Sequence, residues 1–204
     1  MSKIKICGLS RREDIDAVNE ALPDYIGFVF AASPRQVSAA QAAQLKQALD
    51  SRIKAVGVFV DADIEPVVAL VLEGVIGLVQ LHGNEDAIYI RKLKEAVSVP
   101  IIKAVRVQSA RQILGAQELD CDYLLLDTWQ KGKQGGSGVA FDWPLIPKLD
   151  KPYFLAGGLN AENISEAARY GPYCLDVSSG AETEGKKDRN KIIELVRLIR
   201  SEMN

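Results

Sequence analysis

The stretch KIKICGLSRREDIDAVNEAL, residues 3–22, changes period once. Lys-Ile-Lys-Ile-Cys alternates with the two-residue period of a strand. Gly8 then lets the chain bend, and Ile15, Val18 and Leu22 recur along one face at helical spacing. Residues Ser10 to Glu13 read as a capping box at the start of that helix. The unit is a strand, a tight turn and a helix, with the thiol of Cys7 at the strand's C-terminal tip.

The unit repeats along the chain. Further apolar, β-rich runs stand at 25–30 (YIGFVF), 55–60, 77–83, 100–107, 123–127, 152–158 and 173–180. Helical patterns fall between them: one opened by a second capping box at Ser38 to Gln41, one begun by Asn84 and one by Asn160. The C-terminal stretch DRNKIIELVRLIRSEMN is amphipathic, with Ile192, Ile193, Val196 and Ile199 towards the core. After GVAFDW, Pro144 and Pro147 leave room for only a short helix. Eight strands alternating with helices in 204 residues suit the small end of one architecture. The expected fold class is therefore α/β, a single (β/α)8 TIM barrel spanning residues 1–204. An open doubly wound sheet is the rival; the even repeat and the lack of GxGxxG after the first strand favour the barrel.

Composition narrows the partners. The chain is 48% apolar and 25% charged, enough for an ordinary core without disulfides. A net charge of −2 predicts no nucleic-acid partner and no anionic membrane surface. No run reads as a secretory leader or a bilayer span, so no membrane partner is expected. Three widely spaced cysteines suit reduced thiols and a cytoplasmic protein. With His82 the only histidine and no CxxC, no metal site is expected. The sequence leaves monomer and homodimer equally open.

In a barrel the chemistry lies on the loops that follow the strands. Those positions hold Cys7, Arg35, Asp61, His82, Arg106, Asp127, Gly157, Gly158 and residues 176–180. LAGGLNAEN and DVSSGAE put small residues after the seventh and eighth strands, where barrels bind phosphate through backbone N–H groups and helix N-termini. Cys7 lies just before a helix start, which lowers a thiol from its usual pKa of about 8.5; a buried apolar cysteine is the alternative. Asp127 follows three leucines, a costly place for a carboxylate unless it is paired or used; an Asx cap is the alternative. Asp176 alternates with Cys174 and Ser178, so the three share a face; it could equally be a buried ion-pair partner. Arg35 suits a flat carboxylate, or else is a solvated loop arginine. His82 is expected as a hydrogen-bonded core imidazole. Residues 129–143, WQKGKQGGSGVAFDW, read as a flexible lid or a plain mobile loop.

Taken in order, KICGL (5–9), FVFAASPRQV (28–37), VGVFV (56–60), VQLHG (79–83), LLLDT (124–128), GGSGVAFDW (135–143), LAGGL (155–159) and DVSSGAE (176–182) resemble the phosphoribosylanthranilate isomerase family. The resemblance runs through essentially the whole chain. It implies a cofactor-free Amadori rearrangement of N-(5-phosphoribosyl)anthranilate, a small phosphoribosyl substrate, in tryptophan biosynthesis. By the same resemblance Asp127 is the general acid at the ribose ring oxygen and Cys7 the general base at C2. Arg35 would bind the anthranilate carboxylate and Asp176 the ribose. Gly157, Gly158, Ser179 and Gly180 would hold the phosphate. An aspartic acid of ordinary pKa, about 3.9, is nearly all ionised at pH 7, so burial and a second carboxylate nearby are expected to help the acid keep its proton. An indole-glycerol-phosphate synthase-like enzyme would want a catalytic lysine and an N-terminal extension, and an epimerase-like one a metal cluster. A phosphate-ligand sensor would not need Cys7 and Asp127.

Alternation makes one further demand. If Cys7 faces the mouth, Lys5 faces into the barrel and needs a carboxylate, because an unpaired buried ammonium costs several kcal/mol. Pairing with Asp127 would hold the acid ionised, so Asp176 is the expected partner.

Overall fold

The computed structural model describes residues 2–128 and 141–201. The tract expected as a lid falls for the most part at 129–140, outside the described residues. Eight strands form one closed parallel barrel in sequence order: β1 (Lys3–Cys7), β2 (Tyr25–Val29), β3 (Lys54–Phe59), β4 (Leu78–Leu81), β5 (Ile101–Val107), β6 (Tyr123–Thr128), β7 (Tyr153–Leu155) and β8 (Cys174–Val177). Closure comes from β8 pairing with β1, which sets Lys3 beside Cys174 and Lys5 beside Asp176. An open sheet has no such pairing.

Helices α1 (Arg12–Ala21), α2 (Ala39–Gln47), α3 (Ile64–Leu72), α4 (Ala87–Ala96), α5 (Ala110–Gln117), α6 (Ile164–Ala168) and α7 (Arg189–Ser201) follow the strands, with a two-stranded hairpin, β9 (Glu182–Thr183) and β10 (Lys186–Lys187), between β8 and α7. No helix follows β6 among the described residues beyond a single 3-10 turn at Trp143–Leu145, the short element that Pro144 and Pro147 allow.

Three helix starts differ from the sequence reading. In α1 the capping carboxylate is Asp14, whose Oδ2 accepts from the backbone N–H of Ser10 (2.9 Å) and of Arg11 (3.0 Å). The Ser10–Glu13 box is thus displaced by one residue. Asn84 does not open α4: Asp61 takes both its backbone N–H and its amide, and Asp86 caps the helix through Tyr89 N (2.8 Å). Asn160 turns back on Glu162 N (2.9 Å), and α6 begins only at Ile164. Only at Asn160 does a local side-chain bond compete with the helix for its backbone groups; Asn84 is claimed by Asp61 from the loop after β3, and at α1 the cap itself has moved one residue on. Ser38 caps α2, accepting from Gln41 N at 3.2 Å, but the reciprocal half of the box is missing, since the Gln41 side chain donates to Ser10 O at 2.7 Å instead. In α7 the buried face is Ile192, Leu195, Val196 and Ile199; Leu195 takes the place expected for Ile193, which is half-buried.

Strands buried on both faces read as nearly unbroken apolar runs. Their outward residues, such as Ile4, Ile6, Ile26, Val79 and Leu124, pack with the helices. The inward residues make a second, smaller cluster of Tyr25, Val56, Leu78, Ile102, Leu125, Phe154 and Cys174. That cluster plugs the barrel below its mouth, and inward residues nearer the strand C-termini stand on it.

Candidate active site

The mouth is a pocket lined by Cys7, Arg35, Gln80, His82, Arg106, Asp127, Gly157, Gly158, Asp176, Ser178 and Ser179. Every site residue expected from the sequence lies there except Gly180, which sits behind it. A Cβ on Gly180 would stand 2.0 Å from the carbonyl oxygen of Leu159, so glycine is what lets the loop after β8 press against the loop after β7. Gly157, at φ +85°, does the same on the other side: a Cβ there would meet Thr128 Oγ1 at 2.2 Å and Asp127 Oδ1 at 2.9 Å.

Cys7 faces the pocket from the tip of β1. Gly27, its neighbour in register on β2, leaves the room for sulfur, since a Cβ there would lie 2.6 Å from Sγ. Burial pushes the Cys7 thiol up, and Asp176 adds to the effect; Lys5 and Lys187 oppose it without cancelling it. The expectation that a helix start would lower this thiol is therefore corrected. α1 begins five residues on, at Arg12, and loss of water outweighs any pull from its N-terminus.

Lys5 is fully buried and points into the barrel, as alternation requires. Its Nζ donates to Asp176 Oδ2 (2.8 Å) and Gln80 Oε1 (2.8 Å). Burial disfavours its charge, but Asp176 and Cys7 outweigh that and hold it an ammonium. Asp176 keeps Oδ1 buried with no partner among the described residues.

Asp127 is the penultimate residue of β6, its Oδ1 accepting from Thr128 N (2.8 Å). The group beside Oδ2 is the imidazole of His82, Nε2 at 3.2 Å, not the second carboxylate that was expected. His82 is corrected in turn. It is not a core imidazole but lines the mouth, with Nδ1 2.9 Å from Gln80 Nε2. Sequence reasoning missed both Gln80 and His82 as site residues. The signal was available in VQLHG, because alternation puts Gln80 and His82 on the inward face with Leu78.

Arg35 lies on the rim with its stem across Gly8, where a Cβ would stand 2.5 Å from Arg35 Cδ. Gly8 also takes φ +85°, so it serves both the turn and the arginine. The guanidinium is gripped bidentately by Glu182 of β9, through Nε at 2.6 Å and Nη2 at 2.7 Å. Lys187 of β10 bonds the same carboxylate and donates to Ser178 O at 3.0 Å. The hairpin after β8, unforeseen in the sequence, therefore aims the arginine. Among the described residues no group of three or more His, Cys, Asp or Glu could hold a metal ion, and no helix is long and apolar enough to cross a membrane.

The family model for N-(5'-phosphoribosyl)anthranilate (PRA) isomerase matches residues 4–198. The N-(5'-phosphoribosyl)anthranilate isomerase of Endomicrobium trichonymphae is 49% identical over 202 residues, covering 98% of this chain and 100% of that one. The crystal structure of phosphoribosyl anthranilate isomerase from Thermotoga maritima superposes with a TM-score of 0.86 at 33% identity, over 98% of this chain and 100% of that one. A phosphoribosyl anthranilate isomerase in complex with reduced 1-(o-carboxyphenylamino)-1-deoxyribulose 5-phosphate gives a TM-score of 0.82 at 32% identity, over 98% and 100%.

Proposed function

This chain belongs to the phosphoribosylanthranilate isomerase family of tryptophan biosynthesis, and from that premise we propose how its own residues carry out the Amadori rearrangement of N-(5-phosphoribosyl)anthranilate. Asp127, protonated, gives its proton to the ribose ring oxygen as the C1–O bond breaks. The anthranilate nitrogen supplies the electron pair, leaving an iminium at C1. Cys7, as the thiolate, takes the proton from C2, and the electrons of that C–H bond form the enolamine. Ketonisation moves the enol proton to the Asp127 carboxylate and the proton held by Cys7 to C1. Both residues return to their starting states, and substrate and product remain isomers.

The observation that carries this reading is the presence of Cys7 and Asp127, from non-adjacent strands, on one pocket. The iminium acidifies the C2 proton, so a thiolate is a sufficient base even though burial makes it scarce. Asp176 fits the ribose because its buried Oδ1, without a partner among the described residues, can accept from a sugar hydroxyl. Arg35, preset by Glu182, fits the anthranilate carboxylate. The loops carrying Gly157, Gly158, Ser179 and Gly180 fit the phosphate. A soluble metabolite as substrate and three free cysteines suit a cytoplasmic enzyme, as monomer or homodimer.

Cys7→Ala and Asp127→Asn should each lower kcat by about 10²–10⁴-fold or more with the fold intact. The assay follows the loss of anthranilate fluorescence from substrate generated in situ. Retention of more than about a tenth of wild-type kcat in both variants sinks the assignment.

A further inference from the structure

A chain of hydrogen bonds crosses the barrel from Lys5 on β1, beneath the pocket, into the pocket lining, through Gln80 at 2.8 Å and His82 at 2.9 Å to Asp127 at 3.2 Å. Its direction follows from chemistry alone. A lysine ammonium has only donors. The Gln80 atom facing it must therefore be the carbonyl oxygen, since the reverse orientation would press an NH2 against an NH3+. The Gln80 amide then offers an N–H to His82 Nδ1, which must accept. A neutral imidazole whose Nδ1 accepts carries its proton on Nε2. That proton points at Asp127 Oδ2.

From this geometry we infer that Gln80 and His82 are positioning residues for the reaction, Lys5 fixing His82 through Gln80 as the Nε2–H tautomer that donates to Asp127. The arrangement suits an acid in two ways. Each carboxylate oxygen has two lone-pair sites. With Thr128 N–H on Oδ1 and His82 N–H on Oδ2, the carboxyl plane is pinned and a site on Oδ2 is left for the proton to be delivered. When that proton leaves, two preformed donors already face the carboxylate, and stabilisation that strengthens as charge develops is what lowers a barrier. Lys5 would thus act at a distance from the substrate, its charge read out as the direction of an amide. The catalytic consequence, though not the tautomer, rests on the acid role proposed for Asp127.

His82 is the only histidine, so 15N–1H correlation spectra of uniformly labelled, tag-free protein contain a single imidazole. Wild type near neutral pH should show a pyrrole-type Nε2 and a pyridine-type Nδ1. Gln80→Glu is close to isosteric and keeps a partner for Lys5, but it turns an acceptor towards Nδ1. Both ring nitrogens should then become pyrrole-type, and kcat should fall by about tenfold or more while KM stays within about threefold. A pyridine-type Nε2 in wild type overturns the inference, as does a Gln80→Glu protein whose ring nitrogens and kcat are unchanged. If Gln80→Glu does not fold, the wild-type spectrum still decides. An active Asp127→Asn enzyme would remove the acid role and leave the tautomer standing, so the two failures are separable.

Discussion

Lys3 and Lys5 lie two residues apart on β1, on the same inward face, yet they belong to opposite ends of the barrel. At the base, Lys3 is half-buried, donates to Tyr173 Oη at 2.9 Å and sits over the rings of Tyr173 (4.9 Å) and Tyr25 (5.6 Å). At the mouth, Lys5 is fully buried and tied to Asp176 and Gln80. The base closes the barrel with aromatic rings whose hydroxyls bond one another, as Tyr25 and Tyr173 do at 2.9 Å. The mouth instead buries a cation, two carboxylates, an amide and a thiol, with the half-buried His82 imidazole beside them. Burying charge costs energy wherever it is done, and of the two ends of the barrel interior it is the mouth that does it, at Lys5, Asp127 and Asp176.

Substitution of the two lysines should give the widest contrast. Lys5→Met leaves Asp176 a buried carboxylate without its cation and should destabilise by about 3–5 kcal/mol. Lys3→Met loses one hydrogen bond and a partly exposed cation–π contact and should cost about 1 kcal/mol. Urea unfolding of the two variants beside wild type measures both. Equal losses would mean that the barrel treats its two ends alike.

On the mouth itself, Arg35→Met should act on binding rather than chemistry. A carboxylate clamp holds substrate and transition state alike, so KM should rise by about tenfold or more with kcat within about threefold. The same substitution leaves the base untouched but takes one of two cations from the buried Glu182 carboxylate, so Tm should fall, less than for Lys5→Met because Lys187 still pairs with Glu182. An unchanged KM with a collapsed kcat would move Arg35 into the chemical step. Gly27→Ala sharpens the point with a smaller effect, because one methyl would crowd the Cys7 sulfur. It should lower kcat by about tenfold while costing about 1 kcal/mol of stability. A loss of stability with full kcat would show that the thiol needs no such clearance.

How far each end was legible follows from what a strand pattern records. The alternation of KIKIC and CLDVSSG states which side chains share a face, and closure of β8 on β1 turns that into Lys5 beside Asp176. Cys7, Asp127 and Asp176 were therefore readable as strand-end groups. The state of Cys7 was not: a helix start is visible in sequence, whereas the burial that outweighs it is a property of the whole mouth. His82 was misread because alternation fixes which face it shares with Leu78 but not whether an inward side chain at that height joins the plug or lines the mouth. Gln80 drew no notice, since a mid-strand amide gains meaning only from Lys5 on one side and His82 on the other. Asn84 and Asn160 looked like caps, but Asp61, brought in from the β3 loop, and a local turn claimed their polar groups first.

The smallest effect separates the two ends by pH. Burial pushes the Glu182 carboxyl up, but Arg35 and Lys187 outweigh it and hold it below the usual carboxylate range. A depressed folded-state value stabilises the fold above the unfolded value, about 4.3 for glutamate. That contribution is lost as pH falls through it towards the folded-state value, because the unfolded chain then binds the proton first. The gap in Tm between wild type and Glu182→Gln should thus be greatest near neutral pH and close as the pH is lowered below about 4.3, the ordinary glutamate value. Lys3 and Tyr173 at the base do not titrate there, so the wild-type to Lys3→Met gap should stay level over the same series. A Glu182→Gln gap that is equally level would mean that the ion cluster aiming Arg35 contributes nothing to stability. Arg35 would then be aimed by its packing across Gly8, and the charge at the rim would serve the ligand alone.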